Sequence, residues 1–249
     1  MLNFLKDIKI VCLDEVDSTN EYLKRNLPDR GLTVVRAHHQ TAGKGRNGNV
    51  WVSEPYANVM FSLGVVLDAS MGKDLFYMSK FTSVAVVETL RKKNVDAFVK
   101  WPNDVWVKNR KIAGILIENI FMQHKTICCI VGIGLNVNQC DFGGFDATSI
   151  KLETGKTSDT DEVFYSLLEN WGLWLENMMR KNWEGMDEVY HNYLPAKCGE
   201  EILLNIGGKV QRGVFDRVDR NGYLCVKMEG AMKRFDMDEA KWIPERVKM

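Results

Sequence analysis

At Pro195 the hydrophobic pattern of this 249-residue chain changes, and that change constrains the fold more than any single motif. From Glu201 onward polar and apolar residues alternate in short runs, Ile202 to Ile206, Lys209 to Phe215 and Tyr223 to Met228, with Asn221-Gly222 reading as a hairpin turn. This pattern predicts a small antiparallel barrel of roughly fifty residues, a size that is marginal in isolation. Upstream, longer apolar stretches alternate between strand and helix spacing. The expected division is therefore a larger unit over residues 1–195 and a smaller one over 196–249.

Within the larger unit, Ile8 to Leu13 reads as a short strand. Ser18-Thr19-Asn20-Glu21 then fits a capping box, with Ser18 at the N-cap and Glu21 three residues on, opening a helix to about Asn26. Thr33 to His39 and Asn58 to Leu67 are β-rich, and Asp74 to Lys92 carries apolar residues at helical spacing with basic residues at its end. Ala97 to Trp101, Val105 to Lys108, Ile112 to Ile120 and Ile127 to Ile133 read as strands, the second and third joined across Asn109-Arg110. Asp159 to Asn182 is helical, and a shorter helix to about Asn192 is stopped by Pro195. The fold class is α+β, a mixed sheet covered by helices and followed by a small β-unit.

Lys+Arg and Asp+Glu both total 33, so the formal charge is zero and no long-range field favours nucleic acid or anionic membranes. Any basic patch must be local. Lys6, Asp7 and Lys9 interrupt what would be the apolar core of a signal peptide, and no run is long enough to span a bilayer, so a cytoplasmic protein is expected. The six cysteines, Cys12, Cys128, Cys129, Cys140, Cys198 and Cys225, lack C-x-x-C spacing and read as buried, reduced thiols.

One local basic patch is Gln40 to Trp51, where Gly43, Gly45 and Gly48 let backbone approach a ligand and Lys44 and Arg46 add charge. It contains G-x-G-x-x-G, but Val50-Trp51-Val52 and Pro55 do not continue as the helix a dinucleotide site needs. A mobile surface loop is the plain alternative. Against it stand the uniform sign of the charge and Trp51, which offers a face for stacking a base.

A second segment runs from Lys100 to Glu118. Pro102 breaks the chain after a strand and displays Asn103 and Asp104 at the strand end, while Lys111 follows a hairpin turn and Gly114 permits close backbone approach. Taken singly, Asp104 reads equally as a turn-stabilising side chain and Lys111 as a solvated charge. Gly132 to Asn138 is a third strand end, with two glycines and two asparagines, and is weak alone.

Taken in order, Ser18-Thr19-Asn20, the Gln40–Trp51 loop, the Lys100–Glu118 segment and Gly132–Asn138 resemble the biotin protein ligase family over most of the first 140 residues. The resemblance implies a class II synthetase-like catalytic domain and an SH3-like C-terminal module. It also implies a two-step reaction, in which biotin and ATP give biotinyl-5′-AMP and a lysine of a biotin carboxyl-carrier protein or domain then attacks the acyl-adenylate. On that resemblance Lys111, Arg46 and Asp104 are the catalytic candidates. Biotin would be bound by Ser18, Thr19, Asn20, Gln40, Lys44, Gly45, Arg46, Lys111 and Gly114. ATP would be bound by Trp51, Asn103 and Asn136, with Mg²⁺ on the phosphates and no dedicated protein metal site.

The roles suit the residue types. Two anions, carboxylate and α-phosphate, must meet, so a cation such as Lys111 belongs between them. A glycine-rich lid would keep water from the mixed anhydride. Short polar side chains suit a ureido ring whose N–H and C=O groups cannot be buried unpaired.

There are departures: Asn49 stands where many relatives carry a loop arginine, and Lys44 replaces the first arginine. Only seventeen residues precede Ser18, too few for the DNA-binding domain of repressor members, so no nucleic-acid or membrane partner is expected and either a monomer or a homodimer is compatible. Two rivals remain. A lipoate ligase should show an Arg-Arg and triple-glycine loop, absent here, and a non-catalytic biotin-binding regulator fits poorly with neutral charge.

Overall fold

A computed structural model describes residues 8–121 and 126–244, so Lys6 and Asp7 lie outside the described residues. A seven-stranded sheet contains β1 (Lys9–Val16), β2 (Leu32–Gln40), β3 (Val59–Asp68), β4 (Phe98–Lys100), β5 (Asp104–Val107), β6 (Arg110–Phe121) and β7 (Thr126–Leu135), in the order β1-β2-β3-β7-β6-β5-β4. Only β1 and β2 pair in parallel, across α1 (Thr19–Arg25), as a parallel pair must be joined by a crossover. The remaining pairs are antiparallel.

Successive side chains of a strand face opposite sides, and both central strands use this to fill two cores. Val34, Cys129 and Val131 face the main core with α2 (Phe76–Lys92) and α4 (Thr160–Met179), where Phe61 meets Phe164 edge-on. Val35, Cys128 and Ile130 instead pack on Leu23 of α1. Adjacent Cys128 and Cys129 thus sit on opposite faces, and burial pushes the Cys128 thiol up to about 11. All six cysteines are free, but the expectation that they are buried holds only for Cys128, Cys129 and Cys225. Cys12 lies on the edge strand β1, and Cys140 and Cys198 lie in connecting segments.

The expected hairpin across Asn109-Arg110 is displaced by one residue. Lys108 takes the left-handed conformation, φ 53°, so the turn is Lys108-Asn109 and Arg110 already belongs to β6. The expected capping box is also absent. Ser18 is the N-cap but makes no side-chain cap bond; its own N–H, which Glu21 would take in a capping box, is bound to Asp17 Oδ1 at 2.7 Å, and Glu21 is drawn to Lys24 and Lys44.

After α3 (Ile150–Thr154), α4 and α5 (Trp183–Asn192), the chain forms a five-stranded antiparallel sheet of β8 (Glu201–Ile206), β9 (Lys209–Val218), β10 (Leu224–Met228), β11 (Ala231–Phe235) and β12 (Ala240–Ile243). Its order is β11-β10-β9-β8-β12, and among the described residues no ladder joins the edge strands β11 and β12. The Asn-Gly turn sits in a longer loop built on Asp219, whose carboxylate accepts from the N–H groups of Asn221 and Tyr223.

One hydrophobic cluster runs through both sheets, from Val34 and Phe81 to Leu224 and Trp242. Polar ties reinforce it: Trp101 Nε1 donates to Gly222 O at 2.9 Å, Arg220 pairs with Asp74, and fully buried Lys80 of α2 reaches Asp187 of α5 at 2.5 Å and Val218 O at 3.1 Å. His191 bridges the same seam, with Nδ1 2.6 Å from Asp187 O and Nε2 accepting from the Val218 N–H at 2.9 Å. That pattern requires a neutral ring, and burial holds its pKa below the usual histidine range. Because the folded value lies below the unfolded one, this contribution is complete above about pH 6.5 and is lost as pH falls. Thermal unfolding midpoints should decline as pH falls below about 6.5, with a shallower slope in His191→Gln. No helix among the described residues is long and apolar enough to cross a membrane.

Candidate active site

A cavity of about 560 Å³ opens on one face of the larger sheet, walled by the start of α1, the Gly43–Trp51 loop, the β4–β5 turn and part of the C-terminal sheet. It gathers Ser18, Thr19, Asn20, Gln40, Lys44, Gly45, Arg46, Trp51, Asn103, Asp104, Lys111 and Gly114. Of the catalytic, biotin-binding and ATP-binding candidates, only Asn136 is missing from the wall. It is buried, donates to Thr148 O at 3.0 Å, and its N–H is bound to Ile112 O. The strand it grips carries Lys111, whose own N–H is held by Asp146 O.

The floor is bare backbone. Gly114 on β6 pairs directly with Gly134 on β7, and the Trp51 indole lies against this patch. A Cβ at Gly134 would stand 2.4 Å from the Trp51 ring, and one at Gly132 would stand 2.2 Å from the Asn20 side-chain oxygen. Both are closer than packed atoms tolerate.

One wall is a chain of short polar contacts. Ser62 Oγ lies 2.6 Å from Thr19 Oγ1 and 2.5 Å from Asn20 Oδ1, Thr19 Oγ1 donates to Gln40 Oε1 at 3.0 Å, and Asn20 Nδ2 donates to Glu118 Oε2 at 2.8 Å. Glu118 also takes Lys24, which shares Glu21 with Lys44 of the loop. Glu21 is held below its ordinary carboxylate value by its bonds to Lys24 and Lys44. Thr19 and Asn20 are thereby fixed in orientation by Ser62 and Glu118, and Glu21 ties the two lysines beside them. None of Ser62, Glu21 and Glu118 carries a site signal of its own in the sequence.

The loop itself is ordered by Gly45 N–H to Asn49 O at 2.7 Å and Trp51 N–H to Gly43 O at 2.9 Å, with a short helical turn over Arg46–Gly48. No helix follows, so the dinucleotide reading fails in the structure as in the sequence. Arg46 is clasped by Asp238 at 3.0 Å, and Asn47 donates to the same carboxylate. The C-terminal sheet thus reaches the cavity with Asp238 and with Met237, Ala240, Lys241 and Trp242.

Beside the end of the loop, Lys111 Nζ is 2.7 Å from Asp104 Oδ1 and 5.7 Å from the Trp51 ring centroid. Asn103 Nδ2 donates to Ile115 O at 2.6 Å, stiffening the turn after the cis Trp101-Pro102 bond. Five basic residues and one acidic residue line the cavity, which suits an anionic ligand despite the neutral chain. Among the described residues no group of three or more His, Cys, Asp or Glu side chains is placed to hold a metal ion.

The Biotin/lipoate A/B protein ligase family model matches residues 13–136. The chain is 28% identical over 236 residues to the bifunctional ligase/repressor BirA of Escherichia coli, covering 90% of this chain and 71% of that protein. It is 29% identical to the biotin--[acetyl-CoA-carboxylase] ligase of Paracoccus denitrificans, covering 86% and 92%. The biotin protein ligase of Aquifex aeolicus, solved with biotin and ATP, superimposes with a TM-score of 0.79 at 28% identity, covering 95% of this chain and 99% of that one. The chain belongs to the biotin protein ligase family. Within it, the overall fold is that of the Aquifex aeolicus biotin protein ligase.

Proposed function

We propose that this protein activates biotin with ATP as biotinyl-5′-AMP and transfers the biotinyl group to a lysine of a biotin carboxyl-carrier protein or domain. The observation that carries the reading is Lys111, held by Asp104 at the cavity wall beside the glycine floor, where a carboxylate and a phosphate would otherwise repel each other. The Ser18–Asn20 wall, with Gln40, supplies fixed donors and acceptors for a ureido ring. Trp51 and Asn103 line the part of the cavity assigned to the nucleotide, and Asn136 supports it by holding the strand beneath Lys111. Mg²⁺ would enter on the ATP phosphates, bound mainly by phosphate oxygens and water.

In the first step a biotin carboxylate oxygen attacks the α-phosphorus and pyrophosphate leaves, with Lys111 neutralising the two converging charges. In the second, the acceptor amine attacks the acyl carbon and AMP leaves. Asp104, paired with Lys111, would orient the incoming ammonium or accept its proton. The test is mass spectrometry of a carrier domain incubated with enzyme, Mg-ATP and biotin. A single biotinyl adduct on lysine is expected, and a lipoyl adduct formed in preference, or none, would overturn the reading.

Arg46 carries a further expectation. Its clasp to Asp238 closes the loop over the cavity. Replacing it with glycine removes a largely exposed ion pair worth about 0.5–1 kcal/mol, so escape of free biotinyl-5′-AMP should rise roughly two- to fivefold. The released adenylate can be quantified by chromatography in the absence of acceptor.

A further inference from the structure

Four charges of alternating sign join the Gly43–Trp51 loop to the polar wall of the cavity. Lys44 of the loop and Lys24 of α1 both reach Glu21 Oε1 at 2.8 Å, and the Lys24 ammonium also meets Glu118 Oε1 at 2.7 Å. The other oxygen of Glu118 accepts from the Asn20 amide at 2.8 Å. That end is anchored in the sheet: Asn20 is buried, its Oδ1 lies 2.5 Å from Ser62 Oγ, and it fills the space that a Cβ at Gly132 would need. The opposite end sits at the neck of the loop, where Lys44 bridges Val50.

An isolated, half-exposed Lys–Glu pair contributes little, because ordering two long side chains offsets most of the attraction. Glu21 is a different kind of partner. Lys24 already holds it and Glu118 already holds Lys24, so only the Lys44 side chain has to be ordered when the loop docks. The inner groups are partly shielded from solvent, with side-chain exposures of 22% for Glu21, 29% for Lys24 and 30% for Glu118. None of these three lines the cavity, so they act on a bound molecule only through Lys44 and Asn20, which do.

We propose that Glu21 is a positioning residue: held by Lys24 and Glu118, it tethers the neck of the loop to the wall and so slows escape of the biotinyl-5′-AMP enclosed between them. The inference rests on the adenylation reading above. The tether governs how long the intermediate stays and leaves the chemical step to Lys111 and Asp104, whose ion pair stands apart from it.

Glu21→Gln and Lys24→Met test the tether both without ligand and in turnover. Hydrogen exchange of the Gly45 and Trp51 amides, which donate to Asn49 O and Gly43 O across the neck, should quicken about threefold in both variants. Release of biotinyl-5′-AMP in the absence of acceptor should rise by about the same factor, while the maximal rate of biotin-dependent ATP/pyrophosphate exchange stays within about twofold of wild type. Raising NaCl from about 0.05 to 0.5 M should speed release from the wild type more steeply than from either variant, because a charge tether is screened by salt. A role in helix stability alone would lower the unfolding midpoint and leave this difference in salt response out. Unchanged neck amides in both variants, or a Lys24→Met protein that behaves as wild type, would overturn the assignment. A wild-type protein without biotin-dependent exchange would overturn the ligase reading instead, and the neck amides, read without ligand, would still decide whether Glu21 holds the loop.

Discussion

Lys111→Ala should reduce biotin-dependent ATP/pyrophosphate exchange by on the order of 10²–10³-fold with little change in stability. The lysine sits at a partly exposed cavity wall, so its loss leaves no unpaired group in the core. What disappears is the positive charge between two anions, and that interaction grows toward the transition state. Lys111→Arg should recover only part of the rate, because a planar guanidinium cannot reproduce a point charge set against Asp104 and the Trp51 face. Exchange at the wild-type rate in Lys111→Ala would remove this residue from the chemistry.

The second large effect is on stability and lies far from the chemistry. Asp187→Ala should destabilise the fold by about 2–3 kcal/mol and lower the unfolding midpoint by roughly 5–10 °C. It leaves the fully buried Lys80 ammonium with one carbonyl and three ring faces for company. The reverse deletion, Lys80→Met, should be milder. Asp187 is one-third exposed and keeps the Tyr77 hydroxyl at 2.9 Å, so water can replace the missing cation. A calorimetric comparison of the two variants reads the asymmetry directly, and equal losses would show that the pair is held by something other than desolvation of Lys80.

Much of the cavity is legible in the sequence because its residues come in short windows whose chemistry is unusual for their place: glycines among cations from Gly43 to Gly48, a proline before Asn103 and Asp104, glycines inside strand runs at Gly114 and Gly132. The strands and helices that carry them follow from apolar period. The errors are local competitions. Asp17 takes the Ser18 N–H while Lys24 and Lys44 take Glu21, and Lys108 absorbs the positive φ that Asn109-Arg110 suggested. Asn136, expected as an ATP contact, lies outside the cavity wall and donates to Thr148 O. The contribution of the C-terminal sheet could not be read at all. Arg46 and Asp238 are 192 residues apart, and a four-residue strand such as β12 gives no periodic signal linking it to a distant cavity. The parallel pairing of β1 with β2 is equally silent, since alternation describes faces and not partners.

The glycine floor has a bearing on how this protein can change over evolutionary time. At Gly132 and Gly134 every other amino acid brings the one atom that collides with Asn20 or with the Trp51 ring, so substitutions there are not graded by size or polarity. The wall residues can drift, trading one donor for another and reshaping what the cavity accepts. The floor admits no such intermediates, and new ligand preferences in this scaffold must arise around it, never through it.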